Sequence, residues 1–101
     1  MTYIFGPFTG SHGLPPDAIG IVGNVTVVNF TGAGYLSLFP GGAPDPGTSS
    51  INFGPPFASS GWANAFTLGF GTGSNAGKVS IRLSNNAITS HVILDVTAYL
   101  Q

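Results

Sequence analysis

Glycine and proline interrupt this 101-residue chain so often that helices cannot dominate its fold. The chain holds sixteen glycines and eight prolines, and no long window keeps a 3.6-residue apolar period. What recurs instead are short segments rich in β-branched and aromatic residues, separated by turn-forming residues, and this pattern is typical of strands. The sequence therefore predicts an all-β protein, with helix limited to one short turn near residues 15–19.

Seven strands are predicted, over residues 2–5, 21–30, 35–39, 50–53, 63–70, 78–83 and 88–100. The second and third are joined by a short glycine-containing link, and we expect them to form a hairpin. In the last strand, alternate residues 92, 94, 96 and 98 form one apolar stripe. In the sixth, alternation places Val79 inward and Ser80 and Arg82 toward solvent. Short strands between Gly/Pro loops favour one antiparallel β-sandwich over residues 1–101, Ig-like or jelly-roll-like, with a small β-barrel as the alternative.

The charge composition excludes several classes of partner. Only 5% of the residues are charged and the net charge is −1. Two basic side chains cannot neutralise a run of phosphates, so we expect no nucleic-acid partner. No apolar stretch approaches the roughly 20 residues of a membrane span. The first basic residue is Lys78, so the N-terminus lacks the charged region of a signal peptide. If the protein is exported, we expect this chain to be its mature form or an excised module.

Few side chains are suited to catalysis. His91 and Asp95 share a predicted strand face, but four residues along a strand span about 13 Å, too far for a hydrogen bond. We therefore interpret His91 as structural, and a hydrolase built on these two residues is the least favoured hypothesis. Asp95 lies inside a strand, where aspartate is disfavoured. Its carboxylate is either solvated or bonded to backbone amides or to Arg82, and we favour the bonded state.

The sequence also predicts no metal ion and no cofactor. Cysteine is absent, so no thiolate ligands exist. His12 and Asp17 could supply two ligands, fewer than the four that a structural zinc ion requires. Asp45 lies between two prolines, where aspartate commonly bonds the local backbone in a turn.

Aromatic residues offer the most plausible binding chemistry. Trp62 lies at a loop–strand junction and Tyr35 on a strand, and exposed aromatic faces stack on sugar rings. Asn64 is a neighbouring amide that could bond sugar hydroxyls. The alternative is that Trp62 fills the core, because tryptophan is usually largely buried.

A series of short motifs gives the chain a resemblance to a known family. They are Asn-Val-Thr-Val at 24–27, Ala-Gly-Tyr-Leu-Ser-Leu-Phe-Pro at 33–40, Gly-Ala-Pro at 42–44, Thr-Ser-Ser-Ile-Asn-Phe at 48–53, Ala-Asn-Ala-Phe at 63–66, Gly-Lys-Val-Ser-Ile at 77–81 and Ser-His-Val-Ile-Leu-Asp-Val-Thr-Ala-Tyr at 90–99. In this order they resemble the β-rich repeat module of secreted and cell-surface proteins of actinobacteria and related bacteria, often appended to cell-wall amidases or peptidases. The resemblance implies an extracellular accessory domain without catalytic residues. It also implies buried hydrogen-bonding roles for Asn24, His91 and Asp95.

Two functions from different classes follow as expectations. The first is a non-catalytic secreted or cell-surface module that binds envelope or extracellular carbohydrate through Trp62, Tyr35 and Asn64. The second is a structural subunit that associates with copies of itself into an oligomer, filament or surface layer. A nearly uncharged surface favours the second, because copies can pack together without burying unpaired charge. In that case residues 2–8 could add to the edge of a neighbour's sheet.

Overall fold

The computed structural model describes residues 2–11, 13–47, 49–54, 61–84 and 89–101. The described residues form seven strands: β1 (Thr2–Phe5), β2 (Gly20–Val28), β3 (Gly34–Pro40), β4 (Ile51–Phe53), β5 (Trp62–Gly69), β6 (Val79–Leu83) and β7 (His91–Leu100). A single turn of 3-10 helix covers Gly73–Asn75. At the turn expected near residues 15–19, the Ala18 amide donates to the Pro15 carbonyl. In the part of the chain that is described, no helix is long and apolar enough to cross a bilayer.

The strands form two antiparallel sheets packed face to face as a small β-sandwich, which confirms the predicted fold class. Sheet A has the order β1-β6-β3-β4, and sheet B has the order β5-β2-β7. The predicted β2–β3 hairpin is wrong, because these strands belong to different sheets. Both edges of β2 are occupied by β5 and β7, and the link after β2 carries the chain across the sandwich, with Asn29 at a positive φ of 54° and Phe30 buried.

The core lies between the two sheets and is built from alternate residues of nearly every strand. Its described members are Ala18, Ile21, Val25, Val27, Phe30, Leu36, Leu38, Ile51, Phe53, Phe66, Leu68, Phe70, Val79 and Ile81. The rings of Phe30 and Phe53 lie 4.9 Å apart between centroids and are tilted by 47°. The apolar faces predicted for β2 to β6 are confirmed, because the period of two puts one residue in every pair into the core.

A loop folds over the outer face of sheet A, which the sequence did not predict. Ser80 was expected to face solvent, yet it is 1% exposed. Its hydroxyl accepts a hydrogen bond from the Gly42 amide at 3.2 Å. The Ser50 hydroxyl accepts a second from the Leu38 amide at 2.9 Å. The proline-rich loop after β3 therefore lies over Ser80, and its Gly42 amide satisfies the buried hydroxyl.

A β-bulge in β7 breaks the stripe predicted for that strand. Val22 pairs with Ala98 but the next residue, Gly23, pairs with Val96, so Thr97 is the extra residue. The Thr97 hydroxyl donates to the Val22 carbonyl at 3.2 Å. Beyond the bulge the faces of β7 exchange, because Tyr99 now lies opposite the buried Ile21. Ala98 therefore leaves the apolar stripe and Tyr99 joins it.

The two margins of the sandwich differ. At one margin β5 lies against β3 and β4, and the Asn64 side-chain amide donates to the Ser50 carbonyl at 3.0 Å across the sheets. The end strands of the opposite margin are β1 in sheet A and β7 in sheet B. Among the described strands, β1 pairs with β6 alone and β7 with β2 alone, so each has one open edge. We call the first margin closed, because β5 contacts β3 and β4 across the two sheets there, and the second margin open. Among the described strands, β4 and β5 are also each paired along one side alone, with β3 and β2.

Candidate functional site

The three residues predicted to bind carbohydrate do not form one platform. Trp62 and Asn64 lie on β5 opposite the buried Val27 and Val25, so both point to the inner side of sheet B. Tyr35 precedes the inward-facing Leu36 on β3 and points to the outer side of sheet A. Two of the candidates therefore face the inside of the sandwich and the third faces away from it.

Trp62 is half-buried and packs against the core cluster. This placement matches the alternative in which the indole ring fills the core. Trp62 is the first residue of β5 and lies directly opposite Val27 on the neighbouring strand. Burial of an aromatic ring of this size makes it a substantial contributor to stability.

Tyr35 is engaged with a cation. Its hydroxyl accepts a hydrogen bond from Nη1 of Arg82 at 3.2 Å, and the guanidinium carbon lies 5.9 Å from the ring centroid. Nε of Arg82 lies 3.1 Å from Oδ2 of Asp45. The hydrogen bond to Tyr35, and then the Asp45 charge, raise the pKa of Arg82 above its ordinary value. Arg82 thus connects the covering loop to sheet A. It also lies over one face of the Tyr35 ring, which a sugar would need for stacking.

We expect Trp62→Ala to lower the free energy of unfolding by about 2 kcal/mol, because part of a large ring leaves the core boundary. Thermal unfolding followed by circular dichroism checks this. Tyr35→Phe keeps the ring and loses one hydroxyl at the surface, so its melting temperature should stay close to that of the parent. If Trp62→Ala melted like the parent and lost binding to cell-wall glycan, Trp62 would be a binding residue instead.

The expectation of buried hydrogen-bonding roles for Asn24, His91 and Asp95 is wrong, because all three are exposed. Asn24 lies directly opposite Asp95, and His91 lies opposite Val28, on the outer face of sheet B. Of the bonded alternatives for Asp95, the one with Arg82 is wrong, because Arg82 lies in the other sheet and binds Asp45. The face that carries Asp95 meets solvent, which is the other alternative that the sequence left open.

The remaining titratable residues are dispersed. His12 lies outside the described residues. Asp17 accepts hydrogen bonds from the Gln101 side-chain amide at 2.9 and 2.8 Å, and Oδ1 of Asp45 accepts one from the Gly47 amide, the local turn bond expected of it. Within the described ranges, no three histidine or acidic side chains come together as a metal site would require.

The feature that sequence reasoning missed is an exposed apolar surface at the open margin. Every exposed large hydrophobic residue among those described lies on β1, on β7 or directly before β2: Tyr3, Ile4, Phe5, Ile19, Ile93, Val96, Tyr99 and Leu100. We call this set the apolar margin. A groove of about 470 Å³ adjoins it, between the second half of β7 and the loop that carries Phe8 and Leu14.

The sequence did carry a signal for this surface. In β1, Tyr3, Ile4 and Phe5 are apolar at consecutive positions, which is typical of a strand covered on both faces. Neither β1 nor β7 contains lysine, arginine or proline, the residues that usually protect an exposed strand edge.

Comparison of the chain with protein-family models, with curated proteins and with solved structures gives no match.

Proposed function

We propose that this domain is a structural subunit that associates with copies of itself through the apolar margin. The observation that supports this most directly is that every exposed large hydrophobic residue among those described lies on β1, on β7 or directly before β2. Scattered surface hydrophobics are ordinary, but exposed apolar side chains gathered on end strands are typical of an interaction surface. The resemblance to modules of secreted and cell-surface proteins leads us to propose an extracellular setting for the assembly.

The exposed side chains on the end strands of the two margins also favour self-association through the apolar margin. β5, at the closed margin, exposes small and polar side chains such as Ala65 and Thr67. β1 and β7, at the open margin, expose aromatic and β-branched ones. An open edge offers unpaired backbone amides and carbonyls to another strand, and flanking apolar side chains add burial to those hydrogen bonds.

The charge distribution offers little resistance to association. Of five formally charged side chains, Arg82 and Asp45 pair with each other and Asp17 is bonded by Gln101. Asp95 is the one formal charge on β1 or β7. Copies can therefore approach through this margin with little electrostatic repulsion.

The function as a carbohydrate-binding module stays a prediction. Its three candidate residues face different sides of the sandwich, and each has an intramolecular role that a ligand would have to displace or share. We therefore rank it second, and binding assays on cell-wall polymer with the Trp62 and Tyr35 variants described above test it.

The proposal is tested by the mass of the protein in solution, measured by light scattering on a sizing column over a hundredfold dilution. We expect the parent chain to form multimers that dissociate on dilution. The double variant Tyr3→Lys/Ile93→Lys should run as a monomer of 10.2 kDa, because two charges at the apolar margin would have to lose their hydration on association.

The matched control adds the same two charges at the closed margin. Asn52 and Thr67 are exposed on β4 and β5, and Asn52→Lys/Thr67→Lys should associate like the parent. A parent chain that is monomeric at every concentration would contradict the proposal. Equal loss of association in both double variants would attribute the effect to net charge rather than to the apolar margin.

A further inference from the structure

β7 offers a long, unprotected edge to another strand. It runs for ten residues, His91–Leu100, and among the described strands it is paired along one side alone, with β2. The bulge at Thr97 divides it, leaving a regular stretch from residue 91 to residue 96. A regular edge of this length accepts a partner strand by backbone hydrogen bonding.

Sheet B is also one strand narrower than sheet A. Tyr3 and Phe5 of β1 lie opposite Ile81 and Val79, so they face the inner side of the sandwich, yet both remain exposed. Their rings contact each other, with centroids 6.1 Å apart. A fourth strand placed beside β7 would extend sheet B toward these two rings.

The outer face of β7 is complementary to itself. His91 and Asp95 lie two positions on either side of Ile93, and all three share that face. If two copies of β7 pair antiparallel about a two-fold axis at Ile93, His91 lies opposite the partner's Asp95 and Asp95 lies opposite the partner's His91. On the inner face, Val92 lies opposite the partner's Leu94, so apolar residues also meet.

Other registers lose this match. An axis at Asp95 places two carboxylates opposite each other, and an axis at His91 places two imidazoles opposite each other. Axes at Val92 or Leu94 leave Asp95 opposite an uncharged residue. Like charges directly opposite destabilise a strand pair, whereas an imidazole can donate a hydrogen bond to an opposing carboxylate.

We infer that two copies of this chain join β7 to β7, antiparallel about a two-fold axis at Ile93, to form one continuous six-stranded sheet. This inference rests on the proposed function and specifies its partner, symmetry and register. The interface is isologous, so each copy contributes the same residues. The bulge at Thr97 ends the pairing on both sides, because the extra residue disrupts the ladder.

The axis is tested by a disulfide. The chain has no cysteine, so Ile93→Cys carries one thiol per copy. Residues directly opposite in an antiparallel pair have Cα atoms about 4.5–5.5 Å apart, within disulfide range. Ile93→Cys should form a covalent dimer under mild oxidation. Thr67→Cys, exposed on β5 at the other edge of sheet B, should form no covalent dimer under the same conditions.

The register is tested by exchanging charge. Asp95→Lys replaces the carboxylate opposite the partner's His91 with a cation. Because this contact occurs twice in the symmetric dimer, its loss should raise the dimer Kd by roughly two- to thirtyfold. His91→Asp alone should weaken the dimer in the same way, since two carboxylates then face each other. His91→Asp combined with Asp95→Lys restores opposite charges and should return the Kd toward the parent value.

The outcomes separate this inference from the proposed function. A parent chain that never associates overturns both. Association without a covalent dimer of Ile93→Cys overturns the two-fold axis on β7, while the proposed function stands. A covalent dimer without restoration by the double exchange overturns the pairing of His91 with the partner's Asp95. Circular dichroism of each variant checks that the exposed substitutions leave the fold intact.

Discussion

Gly23→Ala is expected to lower the free energy of unfolding by about 3 kcal/mol, the upper end of the usual cost of overpacking. In a domain of this size that corresponds to a melting temperature lower by roughly 10–20 °C. A Cβ atom at Gly23 would overlap the backbone carbonyl of Asp95 and crowd the Cα of Val96. Because the obstacle is backbone rather than the flexible end of a side chain, β7 has to move away from β2.

The cause lies in the bulge. Thr97 is inserted next to the point where Gly23 pairs with Val96, and there the backbone of Asp95 and Val96 lies close to Gly23. Glycine tolerates this approach because it has no side chain. The position is central in β2, so the displacement would disturb the pairing of the whole sheet.

Gly69→Ala is the matched control. Gly69 is also a strand glycine of sheet B, but a Cβ there would meet one atom, at 4.0 Å. Its melting temperature should equal the parent's or rise slightly, since alanine restricts the unfolded chain more than glycine does. Thermal unfolding by circular dichroism measures both variants. Equal melting temperatures for the two would mean that the bulge does not constrain Gly23.

The strands could be predicted from the sequence because they rest on local patterns. All seven appear within about two or three residues of their expected bounds, and the inward faces of β2 to β6 follow the alternation. In β2, for example, Val25 and Val27 are fully buried. Thr26 and Val28, which alternate with them, are half-buried.

The pairing of strands was harder to predict, because it depends on residues distant in the chain. A short link after β2 suggested a hairpin, but β2 pairs with β5 and β7, and the paired residues lie 35 to 80 positions further on. The burial of Ser80 was missed for the same reason, because it also depends on a distant segment. Nothing adjacent to Ser80 in the sequence indicates that the loop after β3 folds over it. The bulge at Thr97 also has no clear local signature, since β7 continues its alternation without a break.

The site could be predicted least. Whether an aromatic residue is a platform or a core residue depends on what packs against it, and the sequence does not contain that information for Trp62. The apolar run of β1 indicated a covered strand, whereas sheet B ends before reaching it and leaves Phe5 exposed. Exposure at the open margin is thus a consequence of how many strands each sheet holds, which only the assembled fold defines.

Apolar residues therefore have two roles in this chain: some fill the core and others form the apolar margin. Two phenylalanines of sheet A illustrate the difference. Phe53 on β4 is 4% exposed and packs against Phe30, whereas Phe5 on β1 is 44% exposed. Phe53→Ala should cost about 3–5 kcal/mol, through lost burial and the cavity left behind. Since small domains are stable by about 5–15 kcal/mol, this loss removes a large fraction of the total stability, and almost all of the variant should be unfolded at the parent's midpoint temperature.

Phe5→Ala should lower the unfolding free energy by about 1 kcal/mol or less, because the ring contributes little burial in the isolated subunit. Its effect should appear in association: the multimer should dissociate at a higher protein concentration than the parent, since the ring is part of the apolar margin. Denaturant unfolding of dilute protein measures the first quantity for both variants, and light scattering over a dilution series measures the second. Similar destabilisation by Phe5→Ala and Phe53→Ala would instead make β1 part of the core, and the apolar margin would then be shorter by that strand.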